Sequence, residues 1–193
     1  MQTENKWLNE INEADQLDEV VPAVIGAIAL HGIRLSKPTI GEKFAVIGLG
    51  LIGLLSLQIL KSHGCKTIGF DYDQERLNLA ESIGFDTVNL SKKDNIDSIV
   101  KSYTKGVSFD GSIITASTNT REPIDLASNI TRKKGRIILV GVADINISRD
   151  IFYHKELKFQ VSCSYGPGRY DIEYEEKGKD YPIEYVRWTE QRL

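Results

Sequence analysis

The chain has 193 residues, is 41% hydrophobic and carries a formal net charge of −3. A chain of this length can bury one good-sized core but is too short for two full domains of ordinary size. The slight acidic excess excludes the clustered positive charge that is typical of nucleic-acid-binding proteins, and no apolar run is long enough to cross a membrane. We therefore expect neither a nucleic-acid partner nor a membrane partner.

The cysteines and the start of the chain bear on its location in the cell. Cys65 and Cys163 are far apart, and each lies in an apolar, strand-like stretch where a free thiol behaves as a small hydrophobic group. The N-terminal residues mix acidic with apolar residues and lack the order of a secretory signal. These observations predict a protein of the reducing cytoplasm without a disulfide framework.

The first predicted element is a helix. Residues 1–20 are polar and weakly patterned, so we expect a loose N-terminal segment there. Pro22 suits the first turn of a helix, and apolar residues from Val24 to Ile33 recur at near-helical spacing. Lys37 and Pro38 should end this helix, because proline cannot continue it.

Strands and helices then alternate along the chain. Short apolar runs, of the kind that is buried on both faces of a parallel sheet, predict the strands, and segments with helical periodicity separate them. The predicted strands are Phe44–Ile47, Cys65–Phe70, Asp86–Leu90, Gly111–Ala116, Arg136–Val142 and Leu157–Ser164. The predicted helices are a segment from Leu54 that stops near Gly64, then Glu75–Ile83, Asn95–Tyr103 and Glu122–Ile130, with a last helix starting near Ile183.

This alternation predicts an α/β fold, because strands joined by helices of this length form right-handed parallel crossovers. The expected architecture is a doubly wound parallel sheet of the Rossmann type, with the strand order 3-2-1-4-5-6. We assign residues 21–165 to this domain. Residues 166–193, which are rich in Tyr, Gly, Pro and charge, are expected to form an irregular C-terminal tail.

A glycine motif follows the first predicted strand and opens the next helix: Gly48-Leu49-Gly50-Leu51-Ile52-Gly53. Gly48 permits a tight turn, Gly50 permits close approach of a pyrophosphate to the backbone, and Gly53 permits close packing of helix and sheet. The start of the helix, which includes Leu51 and Ile52, offers unpaired N–H groups and a partial positive charge to phosphates. The motif therefore predicts a dinucleotide site.

An acidic residue closes the second predicted strand. Asp71 lies 18 positions after Gly53, near the spacing of about 20 expected for the carboxylate that binds the adenosine ribose hydroxyls. Its charge would repel a 2′-phosphate, so NAD(H) is favoured over NADP(H), and Tyr72 and Arg76 are expected beside the adenosine. Alternatively, the glycines serve only a tight turn and Asp71 only caps a neighbouring group, which explains less of the strand-loop-helix-strand context.

Further cofactor contacts are expected where other strands end, because ligands of doubly wound folds bind at the carboxyl edge of the sheet. Ordinary packing is the alternative for all of these residues. The candidates are Thr115, Ala116 and Ser117 after the fourth strand, Val140, Gly141 and Val142 at the end of the fifth, and Ser164 and Tyr165 near the nicotinamide. The late aromatic residues form either a substrate wall or subunit contact, or a surface segment over the sheet edge: Tyr170, Tyr174, Tyr181, Tyr185 and Trp188.

The stretch GEKFAVIGLGLIGLLSLQILKSHGCKTIGFDYDQERLNLAESIGFD resembles the cofactor domain of the medium-chain, zinc-containing alcohol dehydrogenase family. SFDGSIITAS and KKGRIILVGV resemble that family's fourth and fifth strands, so the likeness covers about Val24 to Ser164. The tail resembles that of dehydrogenases found with polysaccharide- or sugar-modifying functions. The resemblance implies NAD(H)-dependent hydride transfer to or from a small alcohol, polyol or sugar, with zinc polarising the oxygen. It also implies a homodimer paired through the edge of the sheet.

The chain departs from the family in its zinc chemistry. The family carries its zinc ligands and proton relay on a separate, mainly β domain that precedes this region, for which the chain has only about twenty residues. His31, His63 and His154 are isolated from one another, and we predict them on a helix face, at a helix end and in a loop. We expect zinc only in a catalytic domain that this chain lacks, and no turnover by this chain alone.

Two other functions compete with the dehydrogenase interpretation. An S-adenosylmethionine-dependent methyltransferase also pairs a glycine loop with an acidic residue after the second strand. The glycine spacing that leads into an apolar helix, and the lack of a pattern for an antiparallel closing hairpin, argue against it. A non-catalytic, NAD-responsive binding module needs none of the missing residues and stays open.

Overall fold

A six-stranded, all-parallel sheet with helices on both faces forms the centre of the molecule. The computed structural model describes residues 14–92, 95–182 and 185. In chain order the elements are α1 (Ala14–Ser36), β1 (Lys43–Ile47), α2 (Leu51–Ser62), β2 (Lys66–Asp71), α3 (Gln74–Ser82), β3 (Asp86–Asn89), α4 (Ile96–Thr104), β4 (Phe109–Ile114), α5 (Glu122–Ile130), β5 (Thr131–Leu139), α6 (Arg149–Lys155), β6 (Lys158–Val161) and α7 (Ile172–Glu175). The strand order β3-β2-β1-β4-β5-β6 confirms the doubly wound α/β fold predicted from the sequence.

Strand β1 shows how the core is built on both sides of the sheet. Ala45 and Ile47 join an apolar cluster with α4 and α5, whereas Phe44 and Val46 join a second cluster with α1, α2 and α3. All four side chains are at most 2% exposed. Because successive side chains of a strand point to opposite faces, a sheet covered on both sides needs an uninterrupted apolar run. This requirement explains why the run FAVI identified the strand.

Helix α1 begins earlier than the sequence predicts. It starts at Ala14, so Pro22 lies inside the helix rather than at its first turn, and part of the segment expected to be loose is helical. A proline removes one hydrogen bond from the helix ladder. Good helix formers before it, such as Ala14 and Leu17, and burial of Ala27 and Ile33 after it offset that cost. No described helix, α1 included, combines the length and hydropathy that crossing a bilayer requires.

Strand β5 also begins earlier than expected, at Thr131 rather than Arg136. The basic residues in between interrupt its pairing with β4, whose register shifts between Phe109 and Gly111. Lys134 adopts a left-handed conformation with φ 60° in this irregular stretch. The charged, partly exposed residues hide the start of the strand from sequence patterns, because they break the apolar run that marks a buried strand.

The last three strands end earlier than predicted. Their final residues are Ile114 in β4, Leu139 in β5 and Val161 in β6. The residues that the sequence places at strand ends, such as Ala116 and Val142, therefore lie in the loops that follow. Those loops stay close to each other, because Val142 donates its backbone N–H to the carbonyl of Ala116 at 3.0 Å.

Helix α6 occupies the region that the sequence predicts to be a loop at His154. None of its residues is fully buried, so apolar spacing gives no sign of the helix. It is tied to α5 and β5 by Lys155, whose ammonium donates to the carbonyl oxygens of Ser128, Asn129 and Thr131 at 2.7–2.9 Å. These carbonyls lie around the C-terminus of α5, where a cation also suits the helix dipole. Desolvation lowers the pKa of Lys155.

The described part of the tail, residues 166–182 and 185, consists of turns and irregular chain with one short helix, α7. Aromatic contacts hold part of it together, since Tyr174 stacks on Tyr181 at a centroid distance of 5.0 Å and meets Tyr185 at 5.7 Å. The helix predicted near Ile183 lies outside the described residues, as does Trp188.

We expect Lys155→Met to lower the free energy of unfolding by about 2 kcal/mol, because methionine keeps the aliphatic packing but leaves three carbonyls without their charged donor. Lys158→Met is the matched control, since Lys158 is an exposed lysine on β6. It should change stability by less than about 0.5 kcal/mol. Chemical denaturation followed by circular dichroism measures both variants, and equal loss of stability in the two would contradict the capping role.

Candidate functional site

A cavity of about 620 Å³ opens at the carboxyl ends of β1, β2 and β4. Strand β1 lies between the other two, so the cavity occupies the point where the strand order reverses, which is where doubly wound folds bind their ligands. Eight of the residues predicted from the sequence to bind a cofactor line it together: Gly48, Gly50, Asp71, Tyr72, Arg76, Thr115, Ala116 and Ser117.

The three motif glycines meet three different environments. Gly48 has φ +97°, and a Cβ there would lie 2.5 Å from the backbone N of Ala116. A Cβ on Gly53 would lie 1.9 Å from the carbonyl oxygen of Gly48, so the start of α2 is packed directly on the loop. Gly50 faces open space, since no atom beyond its two chain neighbours lies within 4 Å of the position that a Cβ would take. Two glycines therefore allow close backbone packing, and the third leaves room for a ligand.

The N-terminus of α2 borders this open space. Gly50 is its N-cap residue and supplies no side-chain capping group, so no side chain of its own covers the first N–H groups. Leu51 is 54% exposed, and Ile52 follows it in the first turn. The amino end of a twelve-residue helix carries a partial positive charge. This arrangement can bind an anion such as a phosphate.

Asp71 is a buried carboxylate, with only 7% of the residue exposed. Its Oδ2 accepts the backbone N–H of Leu49 at 2.6 Å, and its Oδ1 accepts that of Asp73 at 2.9 Å. Arg76 lies beside it, with Nη1 at 3.8 Å from Oδ2, and also meets the Asp73 carboxylate at 3.6 Å. Asp73 in turn caps α3 by accepting from Glu75 and Arg76. The carboxylate is thus held in a fixed position at the cavity.

Tyr72 and Glu122 meet across the mouth of the cavity. The Tyr72 hydroxyl donates to Oε2 of Glu122 at 3.3 Å, which connects the loop after β2 with the first turn of α5. Desolvation and the neighbouring Glu122 carboxylate both raise the pKa of Tyr72, so its hydroxyl stays protonated and can donate. The sequence pointed to Tyr72 but not to Glu122.

Apolar side chains that the sequence did not single out complete the cavity walls. They come from four directions: Ile47 from β1, Leu90 after β3, Ile96 at the start of α4 and Leu126 in α5. The rule that ligands bind at strand ends could have found Leu90 and the polar residues after β4, which are Thr118 and Thr120. Ile96 and Leu126 reach the cavity only through helix packing, which no local motif encodes.

The remaining predicted contacts lie outside this cavity. A Cβ on Gly141 would lie 2.1 Å from the Ala116 carbonyl oxygen, so this glycine allows the loops after β4 and β5 to touch. Val140 packs against Gly32 of α1, and Val142 is 64% exposed. Ser164 follows β6 in a turn, with φ 47°. These residues lie after the carboxyl ends of β5 and β6, whereas Asp71 lies at the end of β2, on the other half of the sheet.

Zinc ligands do not converge within the part of the chain that the structure describes. No group of three His, Cys, Asp or Glu side chains there is arranged to hold a metal ion. His31 is buried in α1, where desolvation and then Arg34 lower its pKa, and His63 ends α2 as predicted. His154 lies in α6 near Asp150, and burial raises the pKa of the Cys65 thiol. The described residues do not fit a zinc site.

The known proteins that this chain resembles are dehydrogenases and reductases. A family model described as zinc-binding dehydrogenase matches residues 52–176. "Probable D-xylulose reductase A" of Neosartorya fischeri is 28% identical over 152 residues, which make up 75% of this chain and 42% of that protein.

Two solved structures share the fold. In each case the match covers most of this chain but less than half of the other protein. The 2R,3R-butanediol dehydrogenase of Bacillus subtilis is 27% identical with a TM-score of 0.67, over 78% of this chain and 42% of that one. An alcohol dehydrogenase of Escherichia coli CFT073, solved with NADH, is 26% identical with a TM-score of 0.65, over 75% and 43%.

The chain spans about 42% of the length of the curated relative that it matches. The family match begins at Ile52, within the glycine motif, ends in the tail at residue 176 and includes most of the residues that line the cavity. Together with the parallel pairing of β6 on β5, it does not favour the methyltransferase alternative. The chain belongs to the zinc-binding dehydrogenase family, of which it contains the Rossmann-type domain.

Proposed function

We propose that this chain binds NAD(H) in the cavity, with the pyrophosphate over Gly50 and the adenosine ribose at Asp71. One observation carries the proposal: an open glycine at the amino end of α2 and a buried carboxylate at the end of β2 face the same cavity. The first offers N–H donors to phosphates, and the second offers an acceptor to ribose hydroxyls. The NADH in the related Escherichia coli structure supports the same cofactor class.

The residues of the chain would divide the binding of the dinucleotide. The first turn of α2 would hold the pyrophosphate, while Asp71 would use its remaining lone pairs to accept from the ribose hydroxyls. Its fixed negative charge would repel a 2′-phosphate, which favours NAD(H) over NADP(H). Arg76 does not reverse this preference, because its guanidinium lies between the carboxylates of Asp71 and Asp73. The bound nicotinamide would supply the hydride donor or acceptor.

The proposed domain serves an oxidoreductase that acts on an alcohol, polyol or sugar. The names of the relatives, a D-xylulose reductase and a butanediol dehydrogenase, support this substrate class. Zinc would belong to the part of such an enzyme that this chain does not span. Cys65 and Cys163 are free thiols, which suits the reducing cytoplasm.

We expect Gly50→Ala and Gly53→Ala to separate cofactor binding from stability. Gly50→Ala should weaken NADH binding by about tenfold or more, because the methyl group enters the space proposed for the pyrophosphate. Its stability should fall by only about 1 kcal/mol, the difference between glycine and alanine as N-caps. Gly53→Ala should lower the free energy of unfolding by about 2 kcal/mol or more, because the methyl group meets a backbone carbonyl. NADH fluorescence titration and chemical denaturation measure the two effects. If folded Gly50→Ala binds NADH with unchanged affinity, the pyrophosphate does not bind over Gly50.

We expect the wild-type chain to bind NADH about tenfold or more tightly than NADPH, and Asp71→Asn to narrow that ratio by about tenfold. NADH binding should weaken, since asparagine no longer offers a charged acceptor to the ribose hydroxyls, and the repulsion of the NADPH 2′-phosphate should disappear with the charge. Asp86→Asn is the matched control. Asp86 is an exposed aspartate at the start of β3, so this substitution removes the same charge at a position away from the cavity. Titrations with both cofactors measure the ratios. A ratio that Asp71→Asn leaves at the wild-type value would refute the role of Asp71.

We further propose that the protein forms a homodimer through the outer edge of β6. This strand ends the sheet and pairs on one side with β5, and its Val161 side chain is 52% exposed. The backbone N–H of Ser162 donates inward to the carbonyl of Leu139 at 2.8 Å. Because N–H directions alternate along a strand, Phe159 and Val161 direct theirs to the free edge. A second copy could continue the ladder there.

Val161→Lys should shift the protein to monomer, because a charged side chain at an edge strand opposes pairing between sheets. Val107→Lys is the matched control, since Val107 is an exposed valine, 63% accessible, in the loop between α4 and β4. It should leave the assembly unchanged. Light scattering coupled to gel filtration measures the mass of each variant. A monomeric wild-type protein at high concentration, or a dimer that survives Val161→Lys, would contradict the proposed edge.

A further inference from the structure

The cavity contains a second carboxylate besides Asp71, on the side of β4 rather than β2. We propose that Glu122 recognises the adenine base by accepting a hydrogen bond from its exocyclic amino group, and so makes the site specific for adenine over a 6-oxo purine. This inference rests on the proposed binding of NAD(H). It adds a specificity-determining residue for the base, which neither the glycine motif nor Asp71 provides.

The two carboxylates differ in how far their hydrogen-bonding capacity is used. Asp71 accepts two backbone N–H groups and lies beside Arg76, so much of its capacity serves the loop itself. Glu122 accepts one bond, from Tyr72 to Oε2 at 3.3 Å. Its neighbour Arg121 pairs instead with Asp125 at 3.0 Å. Among the described residues no cation forms an ion pair with Glu122, so its carboxylate has lone pairs for a donor in the cavity.

The shape of the adjoining walls suits a flat, mostly apolar ring. Leu126 lies one turn after Glu122 in α5, and Ile96 and Leu90 line the same cavity from the start of α4 and from the segment after β3. A purine placed between such side chains must turn its polar edge toward a polar group, because an unpaired polar group in an apolar site is costly. Glu122 is the charged acceptor on that side of the lining.

A carboxylate can discriminate between purines where hydroxyls cannot. Thr118 and Thr120, which also line the cavity, carry hydroxyls that can donate or accept, so each could pair with either an amino or an oxo group. An ionised carboxylate only accepts, and therefore favours the 6-amino group of adenine and disfavours a 6-oxo group. Tyr72 acts as a positioning residue, because its hydroxyl donates to Glu122 and both side chains line the cavity.

The test compares NADH with reduced nicotinamide hypoxanthine dinucleotide, which has an oxo group in place of the 6-amino group and an N–H at N1. We expect the wild-type chain to bind NADH about tenfold more tightly than the hypoxanthine analogue. Glu122→Gln should bring the ratio close to one, because an amide can turn either a donor or an acceptor toward the base. Glu75→Gln is the matched control: Glu75 is also an exposed glutamate in the first turn of a helix, and this variant should keep the wild-type ratio.

The outcomes distinguish the role of Glu122 from the proposed binding of NAD(H), on which it rests. Tight NADH binding with a ratio near one in the wild type, or an unchanged ratio in Glu122→Gln, overturns the role of Glu122 and leaves NAD(H) binding intact. A preference for the hypoxanthine analogue also overturns it, because it would place the carboxylate against N1. If the folded wild-type chain binds neither dinucleotide at millimolar concentration, both the proposed function and this inference fail.

Discussion

The hydrogen bond from the Leu49 backbone N–H to Asp71 Oδ2, at 2.6 Å, is the contact on which the rest of the site depends. It joins the glycine loop after β1 to the end of β2, where the Gly48 backbone N–H also donates to the carbonyl of Phe70 at 2.8 Å. A buried carboxylate is strongly unfavourable unless hydrogen bonds and charges compensate it. Asp71 obtains two backbone N–H groups and Arg76. If the loop moved away, this buried charge would lose one of its two backbone N–H donors, so the carboxylate stabilises the position of the loop.

Close backbone packing fixes the loop from the other side. Gly48 lies against Ala116, and the Thr115 hydroxyl donates to the Gly48 carbonyl oxygen at 2.5 Å. Gly141 allows the loop after β5 to lie against the same Ala116. Three strand ends thus meet with almost no side chain between them. Gly50 is the exception within the motif, because no neighbour fills the space beside it. The motif combines rigid packing at its ends with an open centre.

The sequence predicted the features that arise from local patterns and missed those that arise from packing. Buried strands such as FAVI are visible because both faces of the sheet demand apolar residues. The glycine motif and Asp71 are visible because backbone geometry restricts which residues can stand there. Helix α6 could not be predicted, since none of its residues is buried and they follow no apolar spacing. Lys155 attaches it to backbone carbonyls around the end of α5. The same reasoning explains why Glu122 was missed: it lies at the cavity through its contact with Tyr72, 50 positions away in the chain.

The described residues enclose the two ends of the proposed cofactor unequally. At the adenosine end they form a cavity of about 620 Å³ with fixed polar groups, whereas Val142, on the side of β5 and β6, is 64% exposed. Binding energy from a part of a ligand that does not react can serve to position the part that does. With NAD(H) in the cavity, the adenosine end would supply most of the affinity from this domain alone. The nicotinamide end would complete its environment with groups from the rest of a dehydrogenase. Affinity and turnover would then be separable properties, the first governed by Asp71, Gly50 and Glu122, and the second by residues that approach the loops after β5 and β6.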